Sequence, residues 1–234
     1  MDPLAEKYYH ISPYAYCAGD PVNLVDPDGR KIVITGDQQN KTIKVLEDVY
    51  GGKLDFGDNG YITIIDQTDS KNRNSKLIAE IINDENIIVE LWTTNGKLTQ
   101  NGKFFCGGAF MGSETKYSGE QKQVHTYQNI NLNILQEVDE YGGYWGRSLM
   151  HELSESYYGG IYAYDNNLYK VEPAYLISEN NVYKYAHKKA VKTSPVRQRL
   201  FDKHNVEVSD ISDFNKVIWY VEYNYRTFPI QTFP

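Results

Sequence analysis

The stretch Leu149-Met150-His151-Glu152-Leu153-Ser154-Glu155-Ser156-Tyr157-Tyr158-Gly159-Gly160 decides the fold, because it carries the clearest helical pattern in the chain. At 3.6 residues per turn, one broad arc collects the apolar side chains of Trp145, Leu149, Met150, Leu153 and Tyr157. The opposite side carries His151, Glu155, Ser148 and Tyr158, with Glu152 at its margin. We therefore predict an amphipathic helix over residues 144–158, ended by Gly159-Gly160, with its apolar side against a core.

Metal-binding side chains follow one another on the polar side of this helix. His151 and Glu155 are four residues apart, so their side chains meet on one face. The pattern His-Glu-x-x-Glu resembles the helix of zincin-type metallopeptidases, with Glu155 where that family has a second histidine. The resemblance implies that His151 and Glu155 bind a divalent metal, with zinc the first choice, and that Glu152 is the catalytic general base.

A catalytic metal needs a third protein ligand, for which His187 is the best candidate. His187 lies in segment 178–191, which the sequence predicts to be a helix with Ser178 as its N-cap. A stripe of small side chains along that segment favours close packing on the 144–158 helix. The other candidates are Glu172, His125, His204 and His10.

An alternative interpretation needs no metal. In it, His151, Glu152 and Glu155 lie on the solvated face of an ordinary surface helix, and His187 is a surface histidine beside two lysines. The chain would then be a non-catalytic surface or interaction module, or an inactive remnant of an enzyme. This interpretation predicts that His151 and Glu155 face solvent and that His187 lies too far from them to share an ion.

The remaining pattern predicts an α+β fold. It indicates strands at 31–36, 61–65, 86–92, 123–132 and 217–225, a helix at 75–82 capped by Ser75, and a segment 42–50 that slightly favours helix. The Gly-rich stretch after Trp92 carries no phosphate-loop ending, so Gly107-Gly108 is interpreted as a turn. We expect a mostly antiparallel sheet with an active-site-type helix, a second helix packed on it, and an irregular arm at 227–234.

Residues 2–30 differ from the rest in being rich in proline and turn signals. They contain Asp2-Pro3-Leu4-Ala5-Glu6-Lys7-Tyr8, Ser12-Pro13-Tyr14-Ala15-Tyr16-Cys17, Pro21-Val22-Asn23 and Asp26-Pro27-Asp28-Gly29-Arg30. In this order they resemble the end of the core domain of RHS-repeat (YD-repeat) proteins. The resemblance implies a domain boundary near Arg30, with residues 1–30 as an extended tail and 31–234 as a single variable C-terminal domain, often a toxin in that family. Many members continue with Leu where this chain has Arg30.

Composition narrows the function classes. The net charge of −7 over 234 residues makes a nucleic-acid partner unexpected and disfavours a nuclease. No stretch of about 18 apolar residues predicts a membrane span, and the start of the chain carries no signal-peptide pattern. The two cysteines, Cys17 and Cys106, form no zinc motif, and the Pro-Cys-x-x-Cys half of a zinc deaminase is missing.

Together these patterns predict a metal-dependent, peptidase-like hydrolase that acts as the C-terminal effector of an RHS-type protein. Its substrate would be a protein or peptide, and the RHS setting implies an immunity protein as a possible partner. Export would depend on a longer parent or on a dedicated route, which places the protein outside the cell or at its surface.

Overall fold

The computed structural model describes residues 32–57, 60–66, 72–142, 144–174, 181–193, 196–201, 204–208, 216–223 and 226–233 of the 234-residue chain. The RHS-like segment 2–30 and Ser178 lie outside these residues. The domain boundary near Arg30 and the N-cap at Ser178 therefore stay predictions.

Helices and strands alternate in the first half of the described chain, and strands dominate its end. The helices are α1 (Gln39–Tyr50), α2 (Arg73–Asn83), α3 (Leu132–Gly142), α4 (Arg147–Asp165) and α5 (Asn181–Lys189). The strands are β1 (Ile32–Gly36), β2 (Leu54–Phe56), β3 (Tyr61–Ile64), β4 (Ile87–Thr93), β5 (Gly108–Ser118), β6 (Gln121–Ile130), β7 (Lys170–Val171), β8 (Val196–Phe201), β9 (Glu207–Val208), β10 (Lys216–Tyr223) and β11 (Arg226–Phe233).

The strands form two sheets. The first seven make one mixed sheet in the order β2-β3-β1-β4-β6-β5-β7, in which β4 pairs in parallel with β1 and β6. The other neighbouring pairs in this sheet are antiparallel. The last four strands form an antiparallel sheet in the order β11-β10-β8-β9. The predicted α+β class with mostly antiparallel pairing is confirmed.

The core begins where β1 and β4 lie side by side. Ile32 and Ile34 of β1 are fully buried, whereas Val33 between them is partly exposed, as strand alternation requires. They pair with Val89 and Leu91 of β4, which are also fully buried. Each such aliphatic side chain contributes about 1.5–3 kcal/mol by burial, so these two strands anchor the centre of the sheet.

Helix α4 begins at Arg147, later than the sequence predicts. Gly146 has a φ of 76°, a left-handed conformation that cannot belong to the helix. The backbone N–H of Ser148 donates to Asp139 Oδ1 at 2.9 Å, so a side chain from α3 caps the first turn. Trp145 precedes the helix and is 54% exposed, so its predicted place on the apolar arc is wrong.

Helix α4 also continues through the glycine pair that was expected to end it, as far as Asp165. A Cβ atom on Gly159 would lie 2.8 Å from a ring carbon of Phe110, and one on Gly160 would lie 2.6 Å from a methyl carbon of Ile87. The two glycines therefore let the helix approach the sheet closely instead of stopping it. The expected second helix, α5, packs on α4 as predicted.

The predicted cap of α2 is also displaced. The side chain of Asn72 accepts the N–H of Asn74 at 2.9 Å, so Asn72 is the N-cap. Ser75 lies inside the helix, is buried, and donates its hydroxyl to the carbonyl oxygen of Val49 at 3.2 Å. Ser75 therefore joins α2 to α1, a contact that no local sequence pattern shows.

The C-terminal expectations are corrected in two respects. The strand predicted at 217–225 exists as β10, but it belongs to the second sheet. The tail expected to be an irregular arm is strand β11, which pairs with β10 along its length. Pro229 is tolerated there because β11 is an edge strand, where one side of the backbone needs no hydrogen-bond donor.

We expect Gly160→Ala to lower the free energy of unfolding by about 1–3 kcal/mol, because the new Cβ overpacks the contact with Ile87. In an unconstrained helix the same change would add about 1 kcal/mol. Gly96→Ala is the control, since its Cβ would meet only the Thr94 hydroxyl, at 3.1 Å. Urea denaturation measures both variants, and a Gly160→Ala protein as stable as the wild type would contradict the close approach.

Candidate metal centre

The polar face of α4 is buried like its apolar face. Leu149, Met150 and Leu153 belong to the core, and on the other side His151 and Glu155 are only 6% and 3% exposed. Helix α5 and the residues that follow it cover this polar side. The solvated-face interpretation of His151 and Glu155 is therefore wrong.

Three predicted ligands meet where α5 contacts the polar side of α4. His151 Nε2 lies 3.7 Å from Glu155 Oε2, and the same oxygen lies 2.6 Å from His187 Nδ1. One ligand atom from each of the three residues falls within 4.8 Å of the others. The two imidazole rings are edge to face, with their centroids 5.0 Å apart. His187, which the sequence analysis chose as the best candidate for a third ligand, therefore lies next to the two candidate ligands on α4.

The orientation of His151 suits a metal ligand. Its Nδ1 lies 2.6 Å from the carbonyl oxygen of Val191, which can only accept, so Nδ1 carries the hydrogen. Nε2 is then the unprotonated nitrogen, and it is the one that faces Glu155. Burial lowers the pKa of His151, which favours the neutral ring that a metal requires. Histidine ligands in proteins commonly donate their second nitrogen to a backbone carbonyl in this way.

The spacing of the three ligand atoms indicates what binding an ion would change. Ligands in a tetrahedral site with bonds of about 2.0–2.2 Å lie roughly 3.3 Å apart. The 3.7 Å separation of His151 and Glu155 is close to this value, whereas the 2.6 Å separation of Glu155 and His187 is that of a hydrogen bond. A metal would therefore replace the proton shared by Glu155 and His187.

Glu152 lies beside the three ligands and turns toward the sheet. Gln128 Nε2 of β6 donates to Glu152 Oε2, and the carboxyl group lies directly over the Cα of Gly108. Burial raises the pKa of Glu152 well above its usual value, and the neighbouring Glu155 raises it further, while the hydrogen bond from Gln128 opposes them. The predicted general base is thus a perturbed carboxyl group next to the ligands.

The sequence analysis missed the residues that hold Glu152. Gly108 was interpreted as part of a turn at a strand edge, and it is the first residue of strand β5, but the sequence did not show that any side chain at this position would collide with the Glu152 carboxyl group. Gln128 lies within the predicted strand 123–132 but was not distinguished from its neighbours. A fully buried Gln in a strand marks a polar partner nearby, yet burial is not visible in the sequence.

Of the tyrosines Tyr158 on α4 and Tyr183 on α5, one lies next to the candidate ligands. The ring of Tyr183 lies 5.4 Å from that of His187, and its pKa is raised by burial and by Glu155 and Glu152. Tyr158 instead lies among α2 residues, where burial and Glu80 raise its pKa. Tyr183, not Tyr158, therefore lines the candidate centre.

The other candidate ligands lie elsewhere. Glu172 accepts an ion pair from Lys170 at 2.8 Å beside strand β7, and His125 contacts Glu90 at 2.6 Å on the sheet. His204 is an exposed residue before β9, and His10 lies outside the described residues. Within the described ranges, only His151, Glu155 and His187 form a group of three or more side chains able to hold a metal ion.

Cys106 lies near the carboxylates of the centre but is not suited to act in it. Burial, Glu152 and Glu137 raise the pKa of its thiol to about 12, so it stays protonated at neutral pH. It forms no disulfide with any described residue. The other cysteine, Cys17, lies outside the described residues.

Comparison with known proteins gives no relative: no family model, no curated protein and no solved structure matches the chain. In the part of the chain that the structure describes, no helix is long and apolar enough to cross a bilayer. Inferences about function therefore depend on the geometry of the centre itself.

We expect the free energy of unfolding to fall less between acid and neutral pH in Glu152→Gln than in the wild type. The folded-state pKa of Glu152 is raised, so between about pH 4.5 and that value the folded state binds more protons than the unfolded state. The wild-type free energy of unfolding therefore carries a term that falls as pH rises through this window, and Gln removes it. Denaturation curves at about pH 4.5 and pH 8 measure the difference.

Glu120→Gln is the matched control, because Glu120 is exposed. Its dependence on pH should follow the wild type, whereas Glu152→Gln should lose less stability toward pH 8. Parallel curves for all three proteins would show that Glu152 is not perturbed by its surroundings.

Proposed function

We propose that this chain is a metal-dependent, peptidase-like hydrolase that acts as the C-terminal effector of an RHS-type secreted protein. One observation carries the proposal: the buried side chains of His151 and Glu155 meet the partly exposed His187, with one ligand atom from each within 4.8 Å of the others, near a carboxyl group whose pKa is raised. Burying two ionisable side chains together is costly unless they are paired or hold a metal, which is why such groups mark functional sites.

The donor set favours a divalent metal, and zinc is our first choice. Two imidazole nitrogens and one carboxylate oxygen are a common set for catalytic zinc, which keeps its fourth position for water or substrate. His187 is 53% exposed in its side chain, so the centre is reached from that side. When bound, the ion supplies a Lewis acid that polarises a carbonyl group and makes a water molecule more acidic.

Glu152 is the group that would take the proton from the attacking water. A general base works best when its pKa lies near the working pH, and burial together with Glu155 shifts Glu152 in that direction. The hydrogen bond from Gln128 holds one carboxylate oxygen and leaves the other available. The raised pKa of Glu152 and its place one residue after His151 support this role.

Tyr183 can contribute an O–H donor to the oxygen of a substrate carbonyl. Its ring packs between those of Phe110, with centroids 6.4 Å apart, and His187, at 5.4 Å. Because burial and two carboxylates raise its pKa, the phenol stays protonated at neutral pH and remains a donor. A protein or peptide substrate is consistent with this arrangement and with the zincin-like helix.

The setting of the proposal comes from the N-terminal residues. Asp26-Pro27-Asp28-Gly29-Arg30 and the segments before it resemble the end of an RHS core, which in that family precedes a variable effector domain. Export with a longer parent, and an immunity protein as partner, belong to the same proposal. They have the support of this resemblance alone.

A non-catalytic module is the second candidate, and one contact favours it. His187 Nδ1 and Glu155 Oε2 are 2.6 Å apart, so this pair can join α5 to α4 without an ion. A buried carboxylate bonded to two histidines is then a structural feature of a folded remnant. Binding of metal decides between the two candidates.

We expect the purified protein to bind one divalent ion, and His151→Ala to weaken binding by more than the roughly 10–100-fold cost of losing an indirect partner of a ligand. Titration with Zn²⁺ and elemental analysis measure this. His125→Ala is the control, since His125 is a half-buried histidine paired with Glu90 away from the centre. Equal affinities of the two variants, or no binding by the wild type, would exclude a metal enzyme.

Glu152→Gln should keep the ion but lose hydrolysis of a protein substrate by about 10²–10⁴-fold in kcat, because the amide cannot accept the proton of water. Activity against an unfolded protein such as casein gives the measurement, with Glu120→Gln as the control. Full activity in Glu152→Gln would remove Glu152 from the mechanism even if the metal binds.

A further inference from the structure

Four hydrogen bonds join helix α4 to residues 190–193, which follow α5. The bonds are Arg147 Nε to the Lys192 carbonyl, Ser148 Oγ with Thr193 Oγ1 at 2.7 Å, His151 Nδ1 to the Val191 carbonyl at 2.6 Å, and the Val191 N–H to Ser154 Oγ at 2.9 Å. These bonds run along one side of α4 over two turns. Side chains of α4 therefore hold the segment 190–193, together with local bonds to the end of α5 such as that from the Ala190 N–H to the Ala186 carbonyl oxygen at 2.9 Å.

Val191 is held at both of its backbone groups. Its carbonyl oxygen accepts from His151, and its N–H donates to Ser154, three residues later on the same helix. The Ser154 hydroxyl donates in turn to the carbonyl oxygen of Met150 at 2.6 Å, so its proton is already used. Its oxygen is left as a pure acceptor for Val191.

The other acceptor within reach of the Ser154 hydroxyl is the carbonyl oxygen of His151 at 3.1 Å, on the same helix. The Ser154 side chain is fully buried, so water cannot take over the bond to Val191 if the hydroxyl is removed. The bond from His151 to the Val191 carbonyl depends on the position of the Val191 backbone, which the bond to Ser154 holds. A change at Ser154 is therefore transmitted to His151 through Val191, although the Ser154 hydroxyl does not contact the imidazole ring.

We propose that Ser154 is a positioning residue of the candidate metal centre. It holds the Val191 backbone, and the Val191 carbonyl keeps His151 in the tautomer whose unprotonated Nε2 can bind the metal. The part of this inference that concerns metal affinity depends on the proposed function. The part that concerns the tautomer is a property of the metal-free protein.

The same segment also limits the position of the third ligand. Helix α5 ends at Lys189, and Lys192 Nζ returns to donate to the carbonyl oxygens of His187 and Lys188 at 3.3 and 2.9 Å. Segment 190–193 thus bonds to the last turn of α5, which carries His187, and also to His151 on α4. Both histidines therefore contact one short stretch of backbone, and Ser154 is the α4 side chain that bonds to the backbone N–H of Val191 within it.

Ser154→Ala tests the inference, with Ser156→Ala as the matched control. Ser156 is also fully buried on α4, but its hydroxyl bonds to Thr126 Oγ1 at 2.8 Å on the sheet side. We expect Ser154→Ala to weaken Zn²⁺ binding by about 10–100-fold, as loss of an indirect partner of a ligand does, and Ser156→Ala to change it by less than about twofold. Equal effects of the two changes would overturn the inference.

Nitrogen-15 NMR of the His151 ring in metal-free protein gives the second readout. The wild type and Ser156→Ala should show hydrogen on Nδ1 alone, and Ser154→Ala should show a mixture of tautomers. A wild type that binds no Zn²⁺ would reject the proposed function, and the tautomer measurement would still decide the role of Ser154. An unchanged tautomer in Ser154→Ala would overturn that role.

Ser154→Cys serves if the alanine variant does not fold. Sulfur is a weak acceptor and larger than the hydroxyl oxygen, so the buried space stays filled while the bond from Val191 is weakened. We expect the same two changes with smaller amplitude. Wild-type affinity and a wild-type tautomer in a folded Ser154→Cys protein would count against the inference.

Discussion

Helix α4 is buried on its apolar side and, at His151 and Glu155, on its polar side as well, and this constraint governs the rest of the structure. A helix in that position cannot leave polar side chains without partners, because an unsatisfied buried group costs about 1–3 kcal/mol and a lone charge costs more. Glu155 is bonded to His187 and adjoins His151, and Glu152 accepts from Gln128. These hydrogen bonds and contacts bring His151, Glu155 and His187 together and so form the candidate centre.

Close approach of α4 to the sheet depends on residues without side chains. Gly159 and Gly160 let the helix lie against Phe110 and Ile87, and Gly108 leaves room for the Glu152 carboxyl group. The same closeness removes water from Glu152 and so raises its pKa. Packing and chemistry therefore have a common origin in the short distance between helix and sheet.

Part of the candidate centre follows from sequence spacing alone. His151 and Glu155 had to share a face because they are four residues apart on a helix. His187 could be selected because Val182, Ala186 and Ala190 form a small-residue stripe, and all three are buried against the rest of the fold. Gly108, Gln128 and Val191 could not be selected, because they act through contacts between residues distant in the chain.

The sequence by itself indicated many of the helical and extended segments, though not helix α3 or strand β11, since periodicity reports which face of an element is apolar. It also indicated the three candidate ligands and their order on two helices. Only the tertiary structure decided that the polar face of α4 is covered, that the helix passes through Gly159-Gly160, and that the Val191 carbonyl orients His151. The physical reason is that burial and hydrogen-bond partners arise from elements brought together by folding, which local patterns do not encode.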